Sequence, residues 1–193
     1  GQLEPSSSAL VFYWGVEGKH DDLQVHNILF SEDYKNEFAE LFEKKILPTD
    51  PTIYIYISSK INSKDAPENC ENWFVMINSP YLNESIKAEE IEKAKQRIIE
   101  KIKNNLKIDI EKKIIAEKVL SPKEIEDYTS SNKGSIYGLS SNGRNAAFLR
   151  QKNRSKKYKG LYFCGGSAHP GGGIPLVILS GKITSDLIQK YEK

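Results

Sequence analysis

The sequence predicts an α+β fold, in which a mixed, largely antiparallel sheet with flanking helices is followed by a C-terminal strand and helix. Three patterns support this prediction. Residues 52–58 alternate isoleucine with tyrosine, which is the period of a strand. Residues 87–105 place isoleucine and alanine on one face of a helix otherwise rich in Lys and Glu. Near the C-terminus, a glycine-dense turn within residues 160–175 connects a short apolar run to a second helical pattern.

The remaining strands are predicted where β-branched and aromatic residues cluster. They are residues 9–16, 26–30, 73–78 and 113–120. The first two flank a polar turn, so we expect them to pair as a hairpin. The apolar run at residues 161–164 is bounded by glycines, which is typical of a strand covered on both faces. Residues 129–145 form a polar stretch without either period, and a loop of this length is usually functional or disordered.

Two more helices are predicted from local signals. Residues 33–45 repeat four apolar side chains at helical spacing, which indicates an amphipathic helix. These are Tyr34, Phe38, Leu41 and Phe42. Ser121, Pro122 and Glu124 have the order of an N-cap, a proline at the first helical position and a capping-box glutamate. A helix should therefore begin directly after Ser121.

Composition restricts the function classes. The 193 residues, 38% hydrophobic and 28% charged, suffice for one core of ordinary size. The formal net charge is +2, and Lys and Glu alternate along the chain, which argues against a nucleic-acid-binding protein. Two cysteines, Cys70 and Cys164, exclude a disulfide framework or a four-cysteine metal site, so a reducing, cytosolic setting fits best. No apolar run approaches the roughly 20 residues of a membrane-spanning helix.

The glycine turn is the strongest candidate for a binding site. Gly165, Gly166 and Gly173 lack a Cβ, so backbone there can approach a neighbour closely. Pro175 suits the first turn of a helix, whose free N–H groups favour an electron-rich ligand group. The turn is not a phosphate-binding loop of the lysine type, because Gly181-Lys182 lies inside the helical pattern and is followed by Ile. Spacing alone leaves a turn that binds nothing equally open.

Other candidate residues are weaker. The tyrosine face formed by Tyr54 and Tyr56 suits the lining of an apolar cavity, although ordinary packing of the sheet against a helix is the favoured interpretation. His20, His26 and His169 show no metal-ligand spacing and are expected to be structural. Cys164 is expected to be a buried, inert side chain. These patterns identify no metal site and no catalytic residue, so the catalytic group stays unknown.

A family resemblance adds what these patterns lack. Residues 160–175, Gly-Leu-Tyr-Phe-Cys-Gly-Gly-Ser-Ala-His-Pro-Gly-Gly-Gly-Ile-Pro, resemble the C-terminal signature of bacterial-type carotenoid desaturases, the phytoene desaturase family. Supporting stretches resemble the same family in the same order. They are residues 7–15, 66–74, 134–138 and 147–155. The chain departs from the family in one respect, because it contains no Gly-x-Gly-x-x-Gly sequence.

The resemblance implies an FAD-dependent oxidoreductase, of which this chain would be the C-terminal part. Residues 1–150 would form the substrate-domain portion, residues 151–193 the returning strand and helix of the FAD-binding domain, and the N-terminal dinucleotide-binding half would be absent. The implied FAD contacts are Gly165, Gly166, Gly173, Ile174, Pro175 and Leu176. A helix N-terminus at the isoalloxazine would stabilise the negative charge of the reduced flavin.

The implied reaction is hydride transfer from a carotenoid C–C bond to flavin, with proton loss, which introduces a double bond. Residues 71–78 and 161–167 look most similar to desaturases of hydroxylated acyclic carotenoids, the 1-hydroxycarotenoid 3,4-desaturases. The partners would be a carotenoid or related polyene and, since carotenoids are insoluble, a membrane surface. The chain alone is not expected to bind FAD tightly or to be active.

Two other interpretations stay open at this point. One is a non-catalytic isoprenoid- or lipid-binding α+β module that uses the Tyr54 and Tyr56 face. The other is a structural α+β domain without a ligand. A dinucleotide-binding strand, glycine turn and helix encoded upstream would favour the enzyme over both.

Overall fold

The structure is a computed structural model that describes residues 4–140 and 150–192. Two compact units are present. Residues 7–134 form the larger unit, and the described residues before and after that range form the smaller one. Residues 141–149, which include part of the polar stretch and of one resembling segment, lie outside the described residues.

The larger unit contains a five-stranded sheet in which every paired neighbour is antiparallel. Its strands are β1 (Ser8–Glu17), β2 (His26–Leu29), β3 (Ile53–Tyr56), β4 (Cys70–Ser79) and β5 (Ile114–Leu120). Their order across the sheet is β2-β3-β4-β1-β5. The described residues also form helices α1 (Tyr34–Ala39), α2 (Ala88–Leu106), α3 (Pro122–Thr129) and α4 (Ile174–Tyr191). The predicted α+β fold is therefore confirmed.

The hydrophobic core lies between one face of this sheet and α2. Alternate residues of β1, β3 and β4 point to this face, because side chains along a strand alternate between the two faces. The fully buried members are Leu10, Phe12, Trp14, Ile53, Ile55, Trp73, Val75 and Ile77 from the strands, and Ala94, Ile98 and Ile102 from α2. The helix thus buries the stripe that its sequence period predicts.

The opposite face of the sheet is covered at one end only. There α3 packs Ile125 against Ala9 and Val11 of β1. As predicted, the Ser121 hydroxyl accepts a hydrogen bond from Lys123 N, and the Glu124 carboxylate accepts one from the Ser121 backbone N–H, which completes a capping box with Pro122 at the helix start. The uncovered part carries aromatic side chains and forms the aromatic face described below.

The predicted hairpin of residues 9–16 with 26–30 is wrong. β2 pairs with β3, in the register His26 opposite Tyr56, while both edges of β1 are occupied by β4 and β5. The reason is a long-range contact. The loop between β1 and β2 is held to β4 by Glu71, which carries the chain across the sheet to the far edge.

Helix α1 also differs from its predicted form. The helix ends at Ala39 and continues as a π-helical turn, Glu40–Lys44. Tyr34 and Phe38 are exposed, whereas Glu37 and Glu40 are buried. The Glu37 carboxylate accepts hydrogen bonds from Thr52 N and Oγ1 at 2.9 and 2.7 Å. Glu40 accepts from Thr49 N at 2.8 Å in the same way. Hydrogen bonds from these two threonines therefore stabilise two buried carboxylates that the apolar period predicts on the exposed side of the helix.

A buried carboxylate fixes the β1–β2 loop. Glu71 is 2% exposed and accepts hydrogen bonds from Trp73 Nε1 at 3.0 Å and from His20 N at 3.2 Å. The Nδ1 atom of His20 lies 2.8 Å from its Oε2, and Lys60 Nζ lies 3.3 Å from its Oε1. Burial opposes ionisation of this carboxyl, but these donors outweigh it and lower the pKa of Glu71 from 4.5 to about 2.

The smaller unit is built around α4 and the segment before it. Residues 161–164 do not form the predicted buried strand, because they contribute only the isolated bridge of Tyr162 with Arg154. Cys164 is exposed, contrary to its predicted burial. A strand needs a continuous ladder of hydrogen-bonding neighbours, whereas these residues have, among those described, only the two backbone hydrogen bonds that flank this bridge, from Ser155 N to Leu161 O and from Phe163 N to Asn153 O. Within the described part of the chain, no helix is both long enough and apolar enough to cross a membrane.

Glu71→Gln is expected to destabilise the larger unit by about 3 kcal/mol at neutral pH, since each unit of pKa shift corresponds to about 1.4 kcal/mol. The pKa of Glu71 is lower in the folded state, so its contribution is present above pH 4.5 and is lost as the pH falls towards 2. Urea unfolding across this pH window measures both effects. Glu17→Gln, at an exposed position of β1, is the control. Equal stability of the two variants would contradict the role of Glu71.

Candidate functional site

The glycine turn runs back along α4 from the C-terminal part of the helix to its start. Phe163 O accepts a hydrogen bond from Thr184 Oγ1 at 2.9 Å, and Gly165 N donates to Ser180 Oγ at 3.2 Å. Ser180 and Thr184 are the buried residues of this helix. Two hydroxyl groups one helical turn apart therefore position the backbone that leads to Gly173, the residue before α4.

A single carboxamide joins the same segments. Asn153 is 4% exposed, and its Nδ2 lies 3.1 Å from Phe163 O and 2.8 Å from His169 O. The hydroxyl oxygens of Ser180 and Thr184 lie 3.0 and 3.3 Å from the same nitrogen. Two N–H bonds are thus shared among four oxygens, which fixes the two ends of the turn and the middle of α4 together.

A guanidinium braces the outside of the turn. Arg150 Nη1 donates to Gly166 O at 2.8 Å and to Tyr137 O at 3.2 Å. Gly171 has a φ of 139°, and a Cβ there would lie 2.9 Å from Arg150 Nε. Since side chains do not tolerate so short an approach, glycine is required at this position for Arg150 to reach the turn.

The start of α4 leaves backbone accessible. Gly173 precedes the helix with a φ of 97°, and no side chain among the described residues caps the helix there. The N–H groups of Ile174 and Leu176 belong to the first turn, whose donors have no partner within the helix. A Cβ built on Gly165 or on Gly173 would meet no atom within 4 Å. The turn therefore presents open backbone, N–H donors and the positive end of the helix dipole on one side.

These features fit the flat ring system of a flavin. A planar aromatic ligand needs backbone without side chains on one side and apolar contacts at its edge. Ile174 is 78% exposed and Leu176 is 41% exposed, so both are accessible for such contacts. The structure places all six sequence-predicted flavin contacts within one turn and the first helical residues after it. They are Gly165, Gly166, Gly173, Ile174, Pro175 and Leu176.

The residues that support this turn are not marked by any local sequence period. Asn153 and Arg150 lie in a stretch that resembles the family, but no local period gives them a role. A signal was present in α4, because Ser180 and Thr184 are small polar residues four apart that follow the apolar run of residues 176–179. His169 is structural through its backbone, since its N–H donates to Gln151 O at 2.9 Å and its carbonyl accepts from Asn153.

The other predicted site residues lie in the larger unit, on the aromatic face. We define this face as the side chains of Tyr13, Tyr54, Tyr56 and Phe74 on β1, β3 and β4. Phe74 packs edge-on against Tyr13 and against Tyr54, with ring centroids 5.5 and 6.1 Å apart. Phe74 also packs against the cluster that contains Ile125 of α3, whereas Tyr13 is exposed.

A groove of about 560 Å³ crosses this face. Four neighbouring strands line it, with Tyr56 on β3, Phe74 on β4, Tyr13 on β1 and Ala116 on β5, and residues 65–67 of the loop before β4 complete the lining. Three spacings of about 4.8 Å between strands make it roughly 14 Å across. Gly15 contributes no side chain at the centre, which deepens the groove between its aromatic walls. The groove is suited to a segment of an extended apolar ligand.

Tyr54 lies beside this groove, not in its lining. Its hydroxyl is 2.8 Å from His26 Nδ1, and the His26 ring stacks on Tyr56 with centroids 5.1 Å apart. Burial, together with the neighbouring Tyr56, raises the pKa of Tyr54, so the phenol stays protonated at neutral pH. The histidine and the phenol form a polar pair at the edge of an otherwise apolar face. His26 thus has a side-chain partner in Tyr54.

Comparisons with known proteins give a consistent set of relatives. The chain is 54% identical over 185 residues to a 1-hydroxycarotenoid 3,4-desaturase of Flavobacterium sp. strain P99-3, which covers 96% of this chain and 38% of that protein. It is 37% identical to a 4,4'-diaponeurosporene oxygenase of Staphylococcus haemolyticus, with 98% of this chain and 38% of that protein aligned. No family model matches the chain.

A further diaponeurosporene oxygenase, from Staphylococcus aureus strain MW2, is 35% identical over 99% of this chain and 39% of its own length. The chain therefore spans about two fifths of the length of these relatives. The resemblance to part of a bacterial-type carotenoid desaturase, stated from the glycine signature, is confirmed. The relatives are carotenoid-modifying enzymes by name.

Replacing Asn153 tests the support of the turn. Asn153→Asp places a carboxylate oxygen against the carbonyl oxygens of Phe163 and His169, which can only accept, and should destabilise the smaller unit by about 2–4 kcal/mol. Asn153→Ala should cost less, because it introduces no repulsion. Hydrogen exchange at Gly165 N measures the opening of the turn. Asn105→Asp, at an exposed position of α2, is the control, and unchanged protection of Gly165 in Asn153→Asp would contradict the role of Asn153.

Proposed function

We propose that this chain is the C-terminal part of an FAD-dependent carotenoid desaturase that introduces a double bond into a hydroxylated acyclic carotenoid. The observation that carries the proposal is the open, uncapped start of α4 within a glycine signature that the sequence shares with carotenoid desaturases. The similarity to a 1-hydroxycarotenoid 3,4-desaturase supports the substrate class. We propose residues 1–150 as the substrate-domain portion and residues 151–193 as the part that completes the FAD domain.

In this proposal the turn holds one edge of the flavin. Gly165, Gly166 and Gly173 would let the ring system contact backbone directly, and Ile174, Pro175 and Leu176 would supply the apolar contact at its edge. The positive end of the α4 dipole would stabilise negative charge on a bound group there. When bound, FAD supplies the hydride acceptor that a desaturation requires. Arg150 and Asn153 position the turn and are not proposed to touch the flavin.

The aromatic face would hold the polyene. Tyr13, Tyr56 and Phe74 offer flat, apolar surface to an extended conjugated chain, and such rings bind planar hydrocarbons well. The pair of His26 and Tyr54 would keep its polar atoms hydrated at the edge of the face. A carotenoid is insoluble in water, so we propose that the enzyme works in the cytoplasm at a membrane surface.

The apolar side of α4 supports the view that further protein packs on this unit. The buried side chains of α4 are Ser180 and Thr184, while large apolar ones are exposed. These are Ile174, Leu176, Val177, Ile178, Leu179 and Ile188. A helix normally buries its apolar side. Since the chain spans about two fifths of its relatives, we propose that the dinucleotide-binding half of the whole protein covers this side.

A non-catalytic isoprenoid-binding module is the alternative that the groove itself would allow. It accounts for the aromatic face but not for the glycine signature or the open start of α4. The two proposals differ in flavin content. Purification of the whole protein without flavin, together with carotenoid binding and no desaturation, would favour the module.

Gly173→Ala in the whole protein should lower flavin affinity about tenfold or more, a change equivalent to about 1.4 kcal/mol. The new Cβ would project into the open space that we assign to the flavin. Flavin absorbance of the purified protein, with titration of added FAD, measures the effect. Gly160→Ala is the control, because Gly160 also has a positive φ, 73°, and open space around it. Equal flavin content in both variants would contradict the assignment.

Tyr56→Ala should raise the KM for the carotenoid about tenfold, since removal of one aromatic contact costs about 1–3 kcal/mol of binding. Tyr56→Phe keeps the ring and should stay close to the wild type. Steady-state desaturation with carotenoid in detergent or liposomes measures KM, and flavin content should not change. The control is Tyr34→Ala, which removes an exposed tyrosine from α1. A wild-type KM in Tyr56→Ala would remove this face from the substrate site.

A further inference from the structure

Charge is unevenly distributed in the smaller unit. Between Arg150 and Ser185 the sequence has seven cationic residues and no Asp or Glu. These are Arg150, Lys152, Arg154, Lys156, Lys157, Lys159 and Lys182. The whole chain has a formal charge of only +2, so the rest of it is net negative. The alternation of Lys and Glu expected along the chain therefore fails in this segment, which is strongly basic.

Most of these cations lie on a tight hairpin, residues 153–163, which we name the basic hairpin. Phe163 N donates to Asn153 O at 2.9 Å, and Ser155 N donates to Leu161 O at 2.9 Å. At its tip, Ser155 Oγ accepts from Lys157 N and Tyr158 N at 3.2 and 3.0 Å. The hairpin is thus closed by its own backbone and by one serine side chain, and this closure determines which side chains its tip exposes.

The tip combines cations with apolar side chains. Lys156, Lys157 and Lys159 are exposed, and none of them forms an ion pair with a carboxylate of the described residues. Tyr158, which lies between Lys157 and Lys159 in the sequence, is 57% exposed, and Leu161, two residues after Lys159, is 39% exposed. A cavity of about 430 Å³ at the base of the hairpin adds Lys152 and Arg154 to the same basic surface.

The base of the hairpin is attached to the C-terminal end of α4. The guanidinium of Arg154 lies 3.9 Å from the centroid of the Tyr191 ring, and the Tyr162 hydroxyl donates to Glu192 Oε1 at 2.8 Å. α4 has 18 residues, which makes it about 27 Å long. The contacts of Arg154 and Tyr162 therefore lie at the end of this helix opposite to Gly173.

We propose that the basic hairpin docks the protein on an anionic lipid surface. Lys156, Lys157 and Lys159 would contact headgroup phosphates, and each lysine close to such a surface strengthens binding by about fivefold. Tyr158 and Leu161 would enter the interface between headgroups and acyl chains, where a tyrosine keeps its ring in the apolar layer and its hydroxyl in water. This assignment rests on the proposed function, in which the substrate is a membrane-soluble polyene.

An anionic membrane fits this surface better than a nucleic acid. Nucleic-acid surfaces spread their cations along a groove or a helix face, so that several phosphates are contacted in a row. Here the three lysines lie on one short tip beside an exposed leucine. A phosphate backbone offers no apolar surface for this leucine to contact. Lys157 lies 5.2 Å from the Tyr158 ring, which keeps the aromatic and cationic parts of the tip together.

Vesicle flotation of the whole protein tests the proposal. Phosphatidylcholine vesicles containing about a third phosphatidylglycerol should bind the protein, pure phosphatidylcholine vesicles should bind it much more weakly, and salt should weaken the difference. Lys156→Gln, Lys157→Gln and Lys159→Gln combined should weaken binding to the anionic vesicles by roughly 100-fold. Tyr158→Ala with Leu161→Ala should weaken binding but keep the preference for anionic vesicles.

The matched control combines Lys35→Gln, Lys64→Gln and Lys87→Gln, which removes the same charge from exposed positions of the larger unit. This variant should bind vesicles like the wild type, and circular dichroism verifies that each variant is folded. Equal vesicle binding by the two lysine triples would overturn the proposal. So would a triple variant of the hairpin that loses affinity for single-stranded RNA while it keeps its affinity for vesicles.

The vesicle assay needs neither flavin nor carotenoid. A protein that floats with anionic vesicles through this hairpin but lacks flavin would retain the docking surface and refute the proposed function. A flavin-containing desaturase whose vesicle binding does not depend on the hairpin would support the proposed function and refute the docking surface. The two proposals therefore fail separately.

Discussion

The Asn153 carboxamide is the interaction on which the smaller unit depends. One nitrogen contacts two backbone oxygens at the ends of the glycine turn and two hydroxyls of α4. The same residue closes the base of the basic hairpin through its own carbonyl. The turn has many glycines and therefore a high conformational entropy when free, so a fixed shape requires strong local contacts. A buried amide with every donor satisfied provides them.

The larger unit depends on an asymmetry of its sheet. One face packs Trp14, Trp73 and the isoleucines of β3 against α2, and these side chains are buried. The other face presents Tyr13, Tyr56 and Phe74 to an open groove. Since alternation along each strand separates the two sets of side chains, the fold is stabilised on one side while the other side remains available for a ligand. Glu71 and its three donors then hold the loop that leads to the edge strand.

Local patterns in the sequence predicted most elements of the fold. The helical period of α2, the capping box at Ser121 and the alternation in β3 depend on neighbouring residues, and all three are present in the structure. The predicted pairing of β2 with β1 is wrong, because strand partners are determined by contacts between residues distant in the sequence. Here that contact is the one between His20 and Glu71. The inward position of Glu37 was missed because its partner, Thr52, lies 15 residues away. The glycine turn could be located from its motif, but its support by Asn153 and Arg150 is visible only in three dimensions.

The one-sided packing of the sheet has an evolutionary consequence. A substitution at Tyr13, Tyr56 or Phe74 changes the width and polarity of the groove, yet it leaves the interior layer between the sheet and α2 untouched. Most replacements there should therefore be tolerated by the fold, and under the function proposed above selection can act on substrate preference alone. Replacements at Trp14 or Trp73 disturb the close packing of the core, so selection for stability removes them regardless of ligand preference. A scaffold divided in this way can acquire new substrates by drift on one surface, without passing through unstable intermediates.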